Sequence, residues 1–522
     1  MLFVPDQLLS RLELEDAVEA EAASSHSLLP EMPGLDQVRS RAKSLARWLR
    51  GQLRAGMRAT PQVVAYALKA PHGLRPVPIW GFPERVTYRA LVSHLLRNEP
   101  SLDRSPAAYR KFLAGPLQHA LDIGPHDETS PVSGEHFFKS SPVRYVVTTD
   151  IASFYEYIDH GILARELLAR TGDNPATECL MSLLSEVQGR NRGLPQLLPA
   201  SDHLSDIYID AVEREVHRRG WPVWRYNDDF RVATRSYSDA LAAIEDIAAA
   251  ARAVGLTLND QKTRTPSLHT YASDYLGVEL AGDVVPDDVA ELQTTSLESD
   301  YGESAAASVA DAVALICNAY APADDHGRSA SKAGLDLTRV RGDSLRDLRQ
   351  AFTRLRIARV ADALPHVRKI LAYVPSITPW AIRYVMAAGE QDRDHASRVL
   401  GDLIECAALS DWQRCWVVRA LHDLSLLREA SADGATKARW VRNLLHGRHS
   451  DVLRAEAAMS LACAGAIHFV ELEYFLRTLP TALSPWILTG IRALHGSGAV
   501  TEAQMDAVRG DGGIYREILL TS

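Results

Sequence analysis

Tyr226-Asn227-Asp228-Asp229 stands between two apolar, strand-prone runs, Trp221-Pro222-Val223-Trp224 and Phe230-Arg231-Val232-Ala233-Thr234. The pattern predicts a β-hairpin whose tip carries paired acids. Adjacent carboxylates at a tight turn repel each other unless a cation lies beside them. A divalent metal such as Mg²⁺ suits the role, because it takes oxygen ligands and keeps positions open for substrate phosphates. An Asp-Asp pair alone is weak evidence, since Asp also favours turns for its own backbone hydrogen bonding.

Working outward, Arg144-Tyr-Val-Val-Thr-Thr149 is rich in β-branched residues and reads as a strand ending on Asp150. A helix is predicted from about His160 to Leu168. Gly193-Leu194-Pro195-Gln196 reads as a turn, followed by a helix from Ser201 to Arg218. Behind the hairpin come an Ala-rich helix from Ser238 to Val254 and strands at Gly255–Asn259 and Tyr275–Leu280. Upstream, residues from Leu35 to Leu53 read as a basic amphipathic helix. The Pro- and Gly-rich stretch from Pro71 to Pro83 reads as an extended segment that feeds a helix from Glu84 to Leu96. After about Asp287 strand signals vanish, and Ala/Leu/Arg-rich helices recur to the C-terminus. Helix pairs at spacings of roughly 30 to 45 residues suggest a HEAT-like solenoid, with an irregular helical bundle as the other reading.

The chain has 522 residues, which implies more than one core, and its 46% hydrophobic and 24% charged content is that of a soluble globular protein. The five cysteines form no CxxC pair and read as thiols of a reducing cytoplasm. The start, Met1-Leu2-Phe3-Val4-Pro5-Asp6, lacks a basic n-region, so no secretory signal and no membrane association are expected. The net charge of -9 hides an asymmetry: residues 36–111 carry 15 Lys and Arg against 4 acids, or +11, which leaves -20 for the remainder. A basic block on an acidic protein is the footprint of contact with phosphates; a set of solvated helix faces is the plainer reading.

The acids form a group with a chemistry. A strand-end Asp150 beside a hairpin Asp228 would bridge two Mg²⁺ ions roughly 3.5–4 Å apart, as phosphoryl transfer by the two-metal route requires. Here the chain resembles reverse transcriptases. Asp150-Ile-Ala-Ser-Phe154-Tyr155 resembles their motif A, and Gly193-Leu194-Pro195-Gln196 with Ser201 resembles motif B. Tyr226-Asn-Asp-Asp229 resembles motif C, the run from Gly255 through Lys262-Thr263 resembles motif D, and Tyr275-Leu276-Gly277 resembles motif E. Arg75-Pro-Val-Pro-Ile-Trp-Gly-Phe-Pro83-x-Arg85 resembles the fingers motif of the bacterial enzymes related to group II introns. Leu197 departs from the pattern, standing where many relatives have Gly. The long helical tail resembles the abortive-infection (Abi) and unknown-group reverse transcriptases of antiphage defence.

The resemblance implies an α+β fold, a right-hand polymerase core of fingers and palm over residues 35–285. An N-terminal arm (1–34) would precede it and an all-α HEAT-like domain (286–522) would follow. It implies a metal-dependent DNA polymerase (two Mg²⁺, with Mn²⁺ as substitute) held by Asp150, Asp228 and Asp229. Lys262 would approach the triphosphate and protonate the leaving pyrophosphate, and Arg75 and Arg85 would grip phosphates. Phe154 and Tyr155 would lie at the incoming sugar, with Tyr155 the gate against a 2′ hydroxyl, while Gly193 and Gln196 would contact nucleotide and template. Each has a plainer reading: Tyr155 as a core aromatic, Lys262 as a solvated lysine, Gln196 as a helix cap. The implied partners are deoxynucleoside triphosphates, product DNA attached in some members to a tyrosine, RNA where synthesis is templated, and further copies of the chain.

Overall fold

The computed structural model describes residues 1–24, 28–69, 73–124, 138, 140–276, 308–320, 335–340, 343–405, 409–428, 431–510 and 513–521. Contacts divide the chain into two compact units, one of residues 1–91, 186–189 and 304–522, the other of 92–185 and 190–303.

The second unit is built on a three-stranded antiparallel sheet of β3 (Tyr145–Asp150), β5 (Asp229–Thr234) and β4 (Val223–Tyr226), in the order β3-β5-β4. Both faces are covered, so β3 is buried along its length and reads as a near-continuous run of β-branched residues. The helix Pro106–Asp122 lies against β4 and β5, and Tyr237–Ala253 against β3 and β5. Phe112, Leu117, Val146, Tyr226, Ala233 and Tyr271 share one apolar core. The helix can approach β4 because residue 115 is glycine: a Cβ there would lie 2.5 Å from the Trp224 ring.

Two sequence expectations fail in this unit. Gly255–Asn259 does not form a strand; an isolated bridge joins Leu258 to Ile151, just past the end of β3, and the chain bridges again at Arg264 and Ser267. Tyr275 and Leu276 end a helix, Leu268–Leu276, and the rest of the expected strand lies outside the described residues. The helical spacing of the buried Leu268, Tyr271 and Ala272 wins there, because it seats the segment on the apolar core, where the Tyr271 hydroxyl donates to the Leu113 carbonyl at 2.7 Å.

In the first unit, β1 (Val63–Lys69) and β2 (Gly73–Ile79) form an antiparallel hairpin. The expected helix at 35–53 is two helices, Leu35–Ser40 and Ala42–Ala55, broken at Arg41. From Asp343 onward, the helices Asp343–Ala358, Thr378–Gly389, Asp411–Asp423, Asp451–Cys463 and Ser484–Gly496 pack each against the next, their starts 33 to 40 residues apart. Val367–Tyr373, Arg393–Ile404 and Ala432–Asn443 form a second row. This is the geometry of stacked helical hairpins. The N-terminal segment packs onto it: Trp412 and Trp416 both donate their indole N–H to the Leu28 carbonyl, and Arg419 donates to that of Glu31.

Candidate active site

The hairpin turn is made possible by Asn227, whose φ of +57° is left-handed, a conformation that Asn tolerates better than other side-chain-bearing residues. Two arginines hold this turn. Arg104 donates to Asn227 Oδ1 at 3.0 Å and lies over the Tyr226 ring, whose hydroxyl donates back to the Arg104 carbonyl. Arg225 donates to the Asn227 carbonyl at 3.2 Å and is itself fixed by Asp206 and Glu213.

Register then sets the acids. Asp150 and Asp229 are direct cross-strand partners, so their side chains stand on one face of the sheet. The Asp228 carbonyl accepts from the Ile151 N–H at 3.2 Å, which draws the turn onto the end of β3. Like charges directly opposite are destabilising in a sheet. Burial, then the charge of Asp229 and that of Asp150, push the Asp228 carboxyl up to about 6. Asp229 is also raised, chiefly by burial, with Arg231 and Lys262 pulling the other way.

Lys262 answers part of this charge. The Asn259 N–H bonds to the Asp150 carbonyl at 2.8 Å, Thr263 Oγ1 meets Thr149 Oγ1 at 2.7 Å, and Arg264 and Thr148 exchange backbone bonds at 2.9 Å. The loop pinned this way places the Lys262 ammonium on Asp150 Oδ2. Burial works against the charge of Lys262, but the hydrogen bond to Asp150 and the three carboxylates outweigh it and raise its pKa. Four residues far apart in the chain, Asp150, Asp228, Asp229 and Lys262, thus meet at one place.

A divalent metal fits this donor set. Asp150 Oδ1 is buried without a hydrogen-bond partner, an orphaned oxygen of the kind a cation would satisfy. No group of three His, Cys, Asp or Glu among the described residues is already drawn together as a metal cage. The ammonium on Asp150 Oδ2 occupies one of the oxygens that a cage would use.

Tyr155 donates its hydroxyl to Asp202 Oδ1 at 2.6 Å, and burial foremost, then the Asp202 charge, hold its pKa far above the ordinary value. Phe154 is buried and packs edge-on against Tyr155. Gly193, at φ +88°, ties its loop to the segment after β3: its N–H donates to the Ile158 carbonyl, and Leu194 N–H to that of Tyr155, both at 2.7 Å. Gln196 is half-buried on the same loop. Leu197 takes φ +68°, a left-handed conformation that glycine adopts without strain and that costs a branched side chain about 1–2 kcal/mol.

The two fingers arginines belong to the other unit. Arg75 is half-buried on β2. Arg85 is committed to Glu21, at 2.6 Å, with Arg89 on the second oxygen of the same buried carboxylate. For Arg85 to grip a triphosphate, Glu21 would have to give way. Sequence reading missed Arg104, Asp202 and Arg225. The only signal for Arg104 was its place in the basic block, and nothing in the sequence marked the other two.

Residues 85–280 match the family described as reverse transcriptase (RNA-dependent DNA polymerase). No curated protein matches the chain. Among solved structures, telomerase from Candida albicans with a TWJ fragment of telomeric RNA is 13% identical, over 74% of this chain and 65% of that one, with a TM-score of 0.31. Telomerase from Candida tropicalis with the same kind of RNA fragment is 12% identical, over 84% and 68%, with a TM-score of 0.32.

Proposed function

Proceeding from a reverse transcriptase domain, a nucleotidyltransferase of RNA-directed DNA polymerase type, over residues 85–280, we propose that the chain is a metal-dependent DNA polymerase. The observation that carries this is the register of Asp150 opposite Asp229, with Asp228 beside them and the Lys262 ammonium among all three. Asp150, Asp228 and Asp229 would hold the metals, with Mg²⁺ favoured by the hardness of their oxygens. The bound metals would lower the pKa of the attacking hydroxyl and neutralise the charge that develops on phosphate. A bond forms between that hydroxyl oxygen and the α-phosphorus of a deoxynucleoside triphosphate. The bond to the β-phosphate oxygen breaks, and pyrophosphate leaves. Lys262 would give a proton to that leaving group, and catalysis is otherwise positioning and charge neutralisation. The ring of Tyr155, held by Asp202, excludes a 2′ hydroxyl, and Gly193 and Gln196 line the nucleotide and template side.

The catalytic module is residues 35–285, with the N-terminal arm before it and the HEAT-like helical domain after it. Antiphage defence of the abortive-infection kind, in a cytoplasmic homo-oligomer, is proposed from the stacked helical hairpins of the tail and the resemblance they support. There the acceptor is a tyrosine hydroxyl and synthesis needs no template.

The test uses the purified chain, Mg²⁺ and labelled deoxynucleotides, with and without nuclease to remove RNA, and with products run before and after protease. Incorporation that is abolished in Asp228→Asn/Asp229→Asn supports the polymerase; retained incorporation in that folded double variant overturns it. Label that stays on the protein until protease and survives RNA removal supports protein priming without a template. Free product that vanishes with the RNA means copying of a specific RNA instead.

A further inference from the structure

We propose that the Tyr155 hydroxyl and the Asp202 carboxylate cap each other, and that this cap, beyond the bulk of the ring, selects against ribonucleotides. The inference deepens the polymerase reading and rests on it for the place of Tyr155 at the incoming sugar. A ribose 2′ hydroxyl both donates and accepts, and it is what tells a ribonucleotide from its deoxy counterpart. A site can reject it by bulk, or by offering it no hydrogen-bond partner. Tyr155 and Asp202 each carry a group that could serve as one.

They use those groups on each other. The Tyr155 hydroxyl donates to Asp202 Oδ1 at 2.6 Å. The Ser205 hydroxyl shares its one hydrogen between the Asp202 carbonyl at 2.9 Å and the phenol oxygen at 3.3 Å. Asp202 and Ser205 stand three apart on the helix Pro199–Arg218, so both face the phenol. An acid in the first turn of a helix ordinarily complements the helix dipole from solvent. Asp202 is instead half-buried, and burial raises its carboxyl above the ordinary value against the pull of Tyr155, Arg104 and His203. Arg104 acts on it through charge, while its guanidinium bonds Asn227, the neighbour of Asp228. The carboxylate therefore lies close to the hairpin tip that carries the acids. Holding a tyrosine ring in place needs no charge: a serine or asparagine would bond the phenol without the cost of burying a carboxylate.

The test follows dATP and ATP on the full chain in two ways. Binding is read as the nucleotide-induced rise in Tm, with Ca²⁺ in place of Mg²⁺ to suppress turnover, and incorporation is read with Mg²⁺. Tyr155→Phe keeps the ring and bares the carboxylate, so it should raise the preference for ATP over dATP about 10-fold, as a hydrogen bond to a charged group does. Asp202→Ala frees the phenol hydroxyl and should raise it several-fold. Tyr155→Phe/Asp202→Ala removes both partners and should return the ratio toward that of the parent, against the sum of the single changes. Asp202→Asn still accepts from the phenol and should stay near the parent. A bond that only staples the segment after β3 to this helix would move Tm and leave the sugar preference alone. An unchanged ratio in folded Tyr155→Phe, or a double variant that adds the two gains, overturns the inference; incorporation by the parent then spares the polymerase reading. A parent that discriminates in binding through this pair yet incorporates nothing keeps the inference and sinks the polymerase. A parent that binds neither nucleotide sinks both.

Discussion

Asp228 shows how the site's chemistry works against the fold. An acid whose folded-state pKa is raised favours the folded state when protonated. That contribution is present below the ordinary value near 3.8 and is lost as pH rises through about 6. Without metal, Asp228→Asn should therefore be more stable than the parent at pH 7, and the gap should close below about pH 4. Thermal unfolding across pH measures it, and a constant gap would remove the electrostatic cause. Lys262→Met leaves the buried Asp150 without its ammonium. It should destabilise by about 1–3 kcal/mol and cut incorporation about 10²–10⁴-fold if it gives a proton to pyrophosphate. Asn227 separates backbone from side chain. Asn227→Ala loses both the left-handed tolerance and the Arg104 bond, for about 2 kcal/mol, whereas Asn227→Gly loses only the bond. Equal Tm losses in the two variants would show that the turn is not under that constraint.

At the scale of elements, the hairpin was legible because alternation, turn chemistry and the apolar runs on either side agree. The segment after it was not. Gly255–Asn259 has strand composition, but β3 receives it as a pinned loop, and that loop is what delivers Lys262. Tyr275 and Leu276 read as a strand only while the anchors Leu268, Tyr271 and Ala272 are overlooked; their spacing is helical and a core waits for them. Gly115 had no sequence signal at all, and its meaning comes from the Trp224 ring facing it. Gly115→Ala should push helix and β4 apart and destabilise by about 1–3 kcal/mol through overpacking. The shift should reach the turn that β4 leads into and lower incorporation as well; wild-type Tm and activity would show that the ring yields freely.

For the whole molecule, the helical tail is not closed on itself. Trp412 and Trp416 spend their indole N–H groups on the Leu28 carbonyl, Arg419 shares its donors between Glu456 and the Glu31 carbonyl, and Gly34 packs against Leu519. Residues 304–522 expressed alone should expose these indoles and aggregate, and co-expression with residues 1–91 should restore a soluble complex. A monodisperse, thermally stable tail fragment would show that the N-terminal segment only decorates it.

The sequence by itself determined the chemistry: the acids, the lysine and the order of motifs along the chain follow from residue types and local periodicity, which neighbours within a few positions impose. The tertiary structure alone decided what depends on distant partners. It set Asp150 opposite Asp229, took Arg85 for Glu21, gave Arg104 and Arg225 the hairpin turn, and joined the first 91 residues to the last 219 in one unit. The physical reason is that burial, register and charge compensation are properties of pairs brought together by folding, and a linear reading ranks residues one at a time.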